Sequence, residues 1–121
     1  MKKKPSETIA EFLNFLETSK HEYESAYADV GKEDSRTQTL LHDLEFAPNK
    51  NERNKVATRF QQSRRTRRKA KDRAQLYEYI NNFYTDKQNK NLLKALRHLQ
   101  NEQATREKYL FGNREFKNRV D

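Results

Sequence analysis

The sequence predicts an all-α fold: a long antiparallel helical hairpin of the coiled-coil type, a third, shorter helix packed at one end of it, and an extended C-terminal tail. Glycine and proline occur only twice each in 121 residues, and charged residues (36%) outnumber hydrophobic ones (32%), a composition typical of long solvated helices. Apolar side chains recur at heptad spacing on both sides of one turn-forming segment. A chain of this length predicts a single domain, residues 1–121.

The first helix is predicted over about residues 6–45. Ser6 or Thr8 can cap its start, and Thr8 with Glu11 has the spacing of a capping box. The heptad pattern passes through Gly31 without losing its phase, which favours one continuous helix over two helices split or kinked at that glycine. One row of the predicted seam contains Ile9, Leu16, Tyr23, Val30, Thr37 and Leu44, and its companion row contains Leu13, Lys20, Tyr27, Asp34 and Leu41.

The second helix is predicted over about residues 51–85, after a turn around Pro48 and with Asn51 as its N-cap. Small residues in its middle permit a close approach of the first helix. A third helix is predicted over about residues 90–110, and residues 111–121 form the tail. The side chains of the second helix that are expected to face inward are Val56, Phe60, Ser63, Ala70, Ala74, Tyr77, Ile80, and Phe83 or Tyr84.

Charge is distributed unevenly along this chain, whose net charge is +8. Residues 1–50 contain seven Lys and Arg against ten Asp and Glu, whereas residues 51–121 contain nineteen against eight, so the two parts carry −3 and +11. Between Arg53 and Arg73 there are ten basic residues, seven of them arginine, and one acid, Asp72. Like charges at i,i+4 repel by a few tenths of a kcal/mol per pair, so this segment predicts a compensating anion.

Two sources of that anion are predicted together. On the first helix, Glu33, Asp34 and Thr37 form an internal ion-pair layer that can engage two or three arginines and fix the register of the hairpin. The basic residues that this layer does not engage are predicted to bind phosphate, because a planar guanidinium group can form two parallel hydrogen bonds with phosphate oxygens. The alternative is a solvated face that serves solubility only. The predicted phosphate-binding residues are Arg64, Arg65, Arg67, Arg68, Lys69 and Lys71.

No residue pattern in the sequence indicates catalysis. Cysteine is absent, and the three histidines are isolated, without the spacing of metal ligands. Glycine-rich phosphate loops, nucleophile elbows and catalytic triads are missing as well, so we expect no enzyme activity, no metal and no cofactor. No apolar run has membrane-spanning length and no signal peptide is recognisable, so we expect a cytoplasmic protein without membrane contact.

Three segments carry a resemblance to a known family. They are LLHDLEF (Leu40–Phe46), NKVATRFQQSRRTRRKAKD (Asn54–Asp72) and NLLKAL (Asn91–Leu96). They resemble an uncharacterised family of small α-helical proteins from phages and mobile elements of Gram-positive bacteria. The resemblance implies a phage accessory protein in the cytosol of a host bacterium, of the kind that binds nucleic acid or disables a host defence component.

Three functions follow from these observations. The first is non-enzymatic binding of phosphate-rich ligands, either nucleic acid or a nucleotide signal, by the basic helix, including a counter-defence role. The second is a protein-directed inhibitor or adaptor of a host nuclease or defence complex, and the third is a structural coiled-coil component. The thin apolar stripes also predict a homo-oligomer. Tyr77, Tyr79, Phe83 and Tyr84 follow the basic segment and allow base stacking, although packing in the core or at an interface is the favoured explanation for Tyr77, Phe83 and Tyr84.

Overall fold

The computed structural model describes residues 2–112 as three α-helices joined by short turns. Helix α1 spans Pro5–Glu45, α2 spans Lys50–Thr85 and α3 spans Lys90–Phe111. None of the described residues forms a strand. The predicted all-α class is confirmed, and the observed helix bounds differ from the predicted ones by one residue at most. The predicted tail lies outside the described residues from residue 113 onward.

The chain divides into two compact units. Ser19–Asn82, here called the hairpin unit, contains most of α1 and α2. The second, here called the terminal unit, combines Met1–Thr18 with Phe83–Asp121 and contains the start of α1, the end of α2, and α3. Both α1 and α2 contribute residues to each unit.

In the hairpin unit, α1 and α2 pack antiparallel along a seam of mostly small side chains. The contact between Glu33 and Ser63 defines the register. Seven residues later on α1 and seven residues earlier on α2, Leu40 lies level with Val56. The same step in the other direction aligns Ala26 with Ala70. Small residues let two helix backbones approach closely. The buried residues of this seam are Ser19, Ala26, Glu33 and Leu40 on α1, and Val56, Ser63, Ala70 and Ala74 on α2.

The predicted companion row of α1 is wrong by one residue in this unit. Tyr27 is 54% exposed and Leu41 is 46% exposed, whereas the preceding residues Ala26 and Leu40 are buried. In a heptad pattern, the second buried row lies either three or four residues after the first, and the sequence of α1 fits both spacings. The larger side chains suggested the offset of four, but α1 uses the offset of three because its small residues fit against Ser63 and the alanines of α2.

Gly31 does not interrupt α1, which confirms the predicted continuous helix. Its backbone has no positive φ. A Cβ atom built at this position would meet no other atom within 4 Å, so no close approach of α2 requires a glycine here.

The predicted caps of the first two helices are both wrong. Helix α1 begins at Pro5, a residue suited to the first helical position, and the Glu7 carboxylate accepts a hydrogen bond from the Lys4 backbone N–H at 3.3 Å. Ser6 is not the cap. Helix α2 is capped by Asn49, whose Oδ1 accepts a hydrogen bond from the Glu52 N–H at 2.9 Å.

Glu107 of α3 takes over the capping of α1 in the terminal unit. Its carboxylate is buried and accepts the Ser6 backbone N–H at 2.8 Å and the Ser6 hydroxyl at 2.5 Å. Gln103 donates a third hydrogen bond at 3.0 Å. Burial alone would raise the pKa of Glu107, but these hydrogen bonds and the charge of Lys4 outweigh it and hold the pKa below its ordinary value. An ionised carboxylate therefore joins α3 to the start of α1.

Candidate phosphate-binding site

The polar layer of the hairpin unit consists of two contacts between α1 and α2. The buried Ser63 hydroxyl donates to the buried Glu33 carboxylate at 2.6 Å, and the exposed Arg36 side chain lies 3.2 Å from the same carboxylate. Arg67 Nε donates to Asp34 Oδ1 at 2.6 Å. The Thr37 hydroxyl, predicted for this layer, has no hydrogen-bond partner among the described residues.

Arg73 makes a second connection between the helices that the sequence analysis did not single out. Its guanidinium lies 2.9 Å from Asp29, 3.4 Å from the Ser25 hydroxyl and 3.7 Å from Glu22. The signal for it was available, because Arg73 precedes Ala74 of the buried seam and, ten residues along each helix from the contact of Glu33 with Ser63, lies level with Tyr23 and beside the acid Glu22. Within the described chain, two arginines of α2 thus form ion pairs with acids of α1: Arg67 and Arg73.

The remaining cations of the predicted site pair with no acid of α1 in the described chain. In the described part of the chain, these five side chains have neither an ion pair nor a hydrogen bond, and all are exposed. We call them the five exposed cations: Arg64, Arg65, Arg68, Lys69 and Lys71. Of the six predicted phosphate-binding residues, the structure thus separates Arg67, whose side chain is 24% exposed and paired with Asp34, from the other five.

Two shallow grooves flank this surface. One has a volume of about 380 Å³ and is lined by α2 alone, through Arg64, Arg67, Arg68, Lys71, Asp72 and Gln75. The other, of about 460 Å³, lies between the helices, where the cations Lys32, Arg36, Lys69 and Arg73 face Asp29 and Glu33. The acids of the second groove already balance part of its positive charge. The first groove contains Asp72 as its single acid, so it is the better place for an added anion.

Electrostatic repulsion within α2 explains why an anion would be favourable. Arg64 and Arg68 are an i,i+4 pair of like charge, and Arg65 and Lys69 are another. Each such pair opposes the helix by a few tenths of a kcal/mol. A bound phosphate would lie close to several of these groups and would replace their mutual repulsion by attraction.

The described residues hold no group of three or more His, Cys, Asp and Glu side chains that could bind a metal ion. Over the same part of the chain, no helix combines the length and the apolar character needed to cross a membrane. His98 lies 2.9 Å from Glu102, four residues on along α3, and His42 packs against the ring of Phe46 at 4.7 Å. His98 therefore has a partner on its own helix, and His42 has one just after the end of α1.

These features define an all-α protein with a helical hairpin and a cationic surface on its second helix. Comparison of the chain with protein-family models, with curated proteins and with solved structures finds no match.

Proposed function

We propose that the protein is a non-enzymatic binder of phosphate-rich ligands, either nucleic acid or a nucleotide signal, and that the five exposed cations make the contacts. One observation supports this proposal above the others. Within the described chain, α1 supplies acids to Arg67 and Arg73 but to none of the five, although all seven lie within three turns of the same helix. A face that served solubility alone would not need so many uncompensated like charges in one segment.

Contacts of this kind bind the backbone of a nucleic acid and give little discrimination among sequences. They release condensed counterions, so affinity should fall steeply as salt rises. A compact nucleotide carries fewer phosphates and would show a weaker salt dependence. Salt dependence thus distinguishes the two forms of the proposal.

The biological setting of the proposal comes from the resemblance to phage and mobile-element proteins. On the basis of that resemblance we propose an accessory or counter-defence factor in the cytosol of a host bacterium. A host nuclease or defence complex with an acidic surface is the alternative partner, because the same five cations would pair with its carboxylates. A third candidate function is that of a structural coiled-coil component. We also propose that the protein assembles into a homo-oligomer.

A charge-reversal pair tests the function. Arg64→Glu, Arg68→Glu and Lys71→Glu are combined in one variant, since these side chains are exposed and line the groove that α2 forms alone. The matched control combines Lys87→Glu, Lys90→Glu and Lys94→Glu, which change the net charge equally at exposed positions outside the hairpin unit. Circular dichroism establishes that both variants keep their helices.

Fluorescence anisotropy then measures binding to labelled single-stranded DNA, duplex DNA of the same length and a labelled cyclic dinucleotide. We expect the α2 variant to bind about 100-fold more weakly at about 0.1 M salt, because three phosphate contacts each release about 0.7 to 0.9 of a counterion. The control should retain most of its affinity. Equal loss in both variants, or no binding of any probe by the unaltered protein, would refute the proposal.

A further inference from the structure

We propose that the ligand of α2 is a single-stranded nucleic acid, whose phosphates contact Arg64, Arg68 and Lys71 and one of whose bases stacks on Tyr79. This inference rests on the proposed function and specifies its ligand. The surface concerned runs along α2 from the predicted cations to the exposed aromatic ring of Tyr79.

The geometry of α2 places these residues on one strip. Residues 64, 68, 71, 75 and 79 follow one another at steps of four, three, four and four, which is the spacing of a single helix face. At 100° and about 1.5 Å per residue, Arg68 and Tyr79 point in nearly the same direction and are about 16 Å apart along the axis. Gln75, an uncharged hydrogen-bonding residue, lies between them. We call these five residues the α2 strip.

Tyr79 differs from the other tyrosines of the hairpin unit. Its side chain is 84% exposed, and within the described chain it takes part in no hydrogen bond or ring contact. Tyr77 is half-buried. Tyr23 and Tyr27 on α1 contact each other edge to face, with ring centroids 4.9 Å apart, and the hydrogen bond with Tyr27 raises the pKa of Tyr23. Tyr79 alone among these rings offers a free face on the same side of α2 as uncompensated cations.

The neighbouring residue Leu76 is 69% exposed and widens the apolar surface beside the ring. Single exposed apolar residues are common on proteins and need no explanation. Here the exposed pair begins one residue after Gln75, the last residue that lines a groove of about 380 Å³ together with three cations of the strip. The one acid in that groove, Asp72, is four residues before Leu76 and seven before Tyr79, so it lies at the edge of the strip toward Leu76, whereas Lys71 and Gln75 lie toward the opposite edge.

The chemistry of the strip distinguishes a single strand from a duplex. In a duplex the base faces are stacked on one another, so an exposed tyrosine ring finds phosphates and sugars but no base to cover. A single strand presents both its phosphates and its base faces, and a base stacked on an aromatic ring contributes to affinity whatever its identity. Cations followed by a free aromatic ring along one face therefore match a single strand in both respects.

The test uses three substitutions at Tyr79 in the full chain. Tyr79→Ala should weaken binding of labelled oligothymidylate by about tenfold, within the range that loss of one stacked base produces, whereas Tyr79→Phe should bind like the unaltered protein. The slope of log affinity against log salt should stay unchanged in both, because stacking releases no counterions. Phe46→Ala, which removes an aromatic side chain of similar exposure (66%) near the turn between α1 and α2, is the control and should have no effect.

A direct reading of stacking comes from Tyr79→Trp. The chain contains no tryptophan, so the introduced indole is the sole tryptophan emitter. Its fluorescence should be quenched by oligothymidylate and left unchanged by a duplex of the same length. Quenching by both would overturn the inference.

The failure of this inference can be told apart from failure of the proposed function. If Tyr79→Ala binds oligothymidylate like the unaltered protein while the α2 charge-reversal variant does not bind, the stacking inference is wrong and the phosphate-binding function stands. If the unaltered protein binds neither DNA but binds an acidic protein partner, both are wrong and the protein-directed alternative replaces them.

Discussion

At the scale of single residues, Glu107 shows how one buried carboxylate connects two helices. Its oxygens accept hydrogen bonds from the backbone and the side chain of Ser6, where α1 would otherwise leave an N–H group without a partner. The position was not predictable from a local pattern. Capping residues are sought within a few residues of a helix start, and this one is 101 residues away in the chain.

The lowered pKa of Glu107 predicts a pH dependence of stability. A carboxylate whose folded pKa is below its unfolded value stabilises the fold above the unfolded value, which is about 4.3, and this contribution is lost as the pH falls through the folded pKa. Glu107→Gln should lower Tm by several degrees at pH 7 and remove part of the acid-induced fall, as measured by circular dichroism between pH 7 and 3. Glu102→Gln, at an exposed acid of α3, is the control. Parallel curves for Glu107→Gln and the unaltered protein would contradict the account.

Gly31 gives a second prediction at this scale. A glycine inside a helix costs about 0.5–1 kcal/mol relative to alanine, and a Cβ at this position meets open space. Gly31→Ala should therefore stabilise the protein by about that amount in urea denaturation. Ala28→Gly, the reverse change at an exposed position three residues earlier, should destabilise it by a similar amount. Destabilisation by Gly31→Ala would show that α1 needs its flexibility at this point.

At the scale of helices, the seam between α1 and α2 combines small apolar residues with one buried polar layer. The layer formed by Glu33 and Ser63 has a single good register, since a shift along the helices would leave the carboxylate without the hydroxyl that donates to it. Small side chains alone would permit several registers at similar energy. We therefore assign register selection to the polar pair.

This assignment predicts opposite results for single and double substitution. Ser63→Ala should cost about 1–3 kcal/mol in urea denaturation, because the buried Glu33 carboxylate loses a hydrogen bond. Combining it with Glu33→Leu should restore most of that stability, since no buried charge remains. Ser35→Ala, at an exposed position of α1, measures the gain in helix propensity that must be subtracted. Equal stability of the single variant and the unaltered protein would contradict the assignment.

Periodicity and turn residues were enough to predict the three helices and their bounds, because long amphipathic segments and the Pro48 turn leave few alternatives. The placement of the second helix beside Glu33 and Asp34 also followed from counting residues on either side of that turn. The companion row of α1 did not follow, because Ser19 and Ala26 carry too little hydrophobic signal to reveal that they are buried. In the site, charge alone could not separate Arg67 from Arg68, since the difference lies in which one faces Asp34.

At the scale of the whole molecule, ion pairs between α1 and α2 explain part of the uneven charge of the chain, and other cations of α2 have no such pair. The negative first part and the positive second part meet in the hairpin unit, where α1 neutralises two arginines of α2. The five exposed cations of the predicted site are part of what remains, and the proposed function assigns them to a ligand. Assembly into a homo-oligomer, which the thin apolar stripes suggested, stays a prediction that light scattering of the purified protein can test.

The measurement that tests the central claim most directly is the salt dependence of binding. Log affinity for oligothymidylate is plotted against log salt concentration for the unaltered protein and for the variant that combines Arg64→Glu, Arg68→Glu and Lys71→Glu. Three lost phosphate contacts predict a slope that is shallower by about 2 to 3 in the variant, whereas the variant reversed at Lys87, Lys90 and Lys94 should keep the slope of the unaltered protein. Identical slopes for all three proteins would show that the exposed cations of α2 make no phosphate contacts.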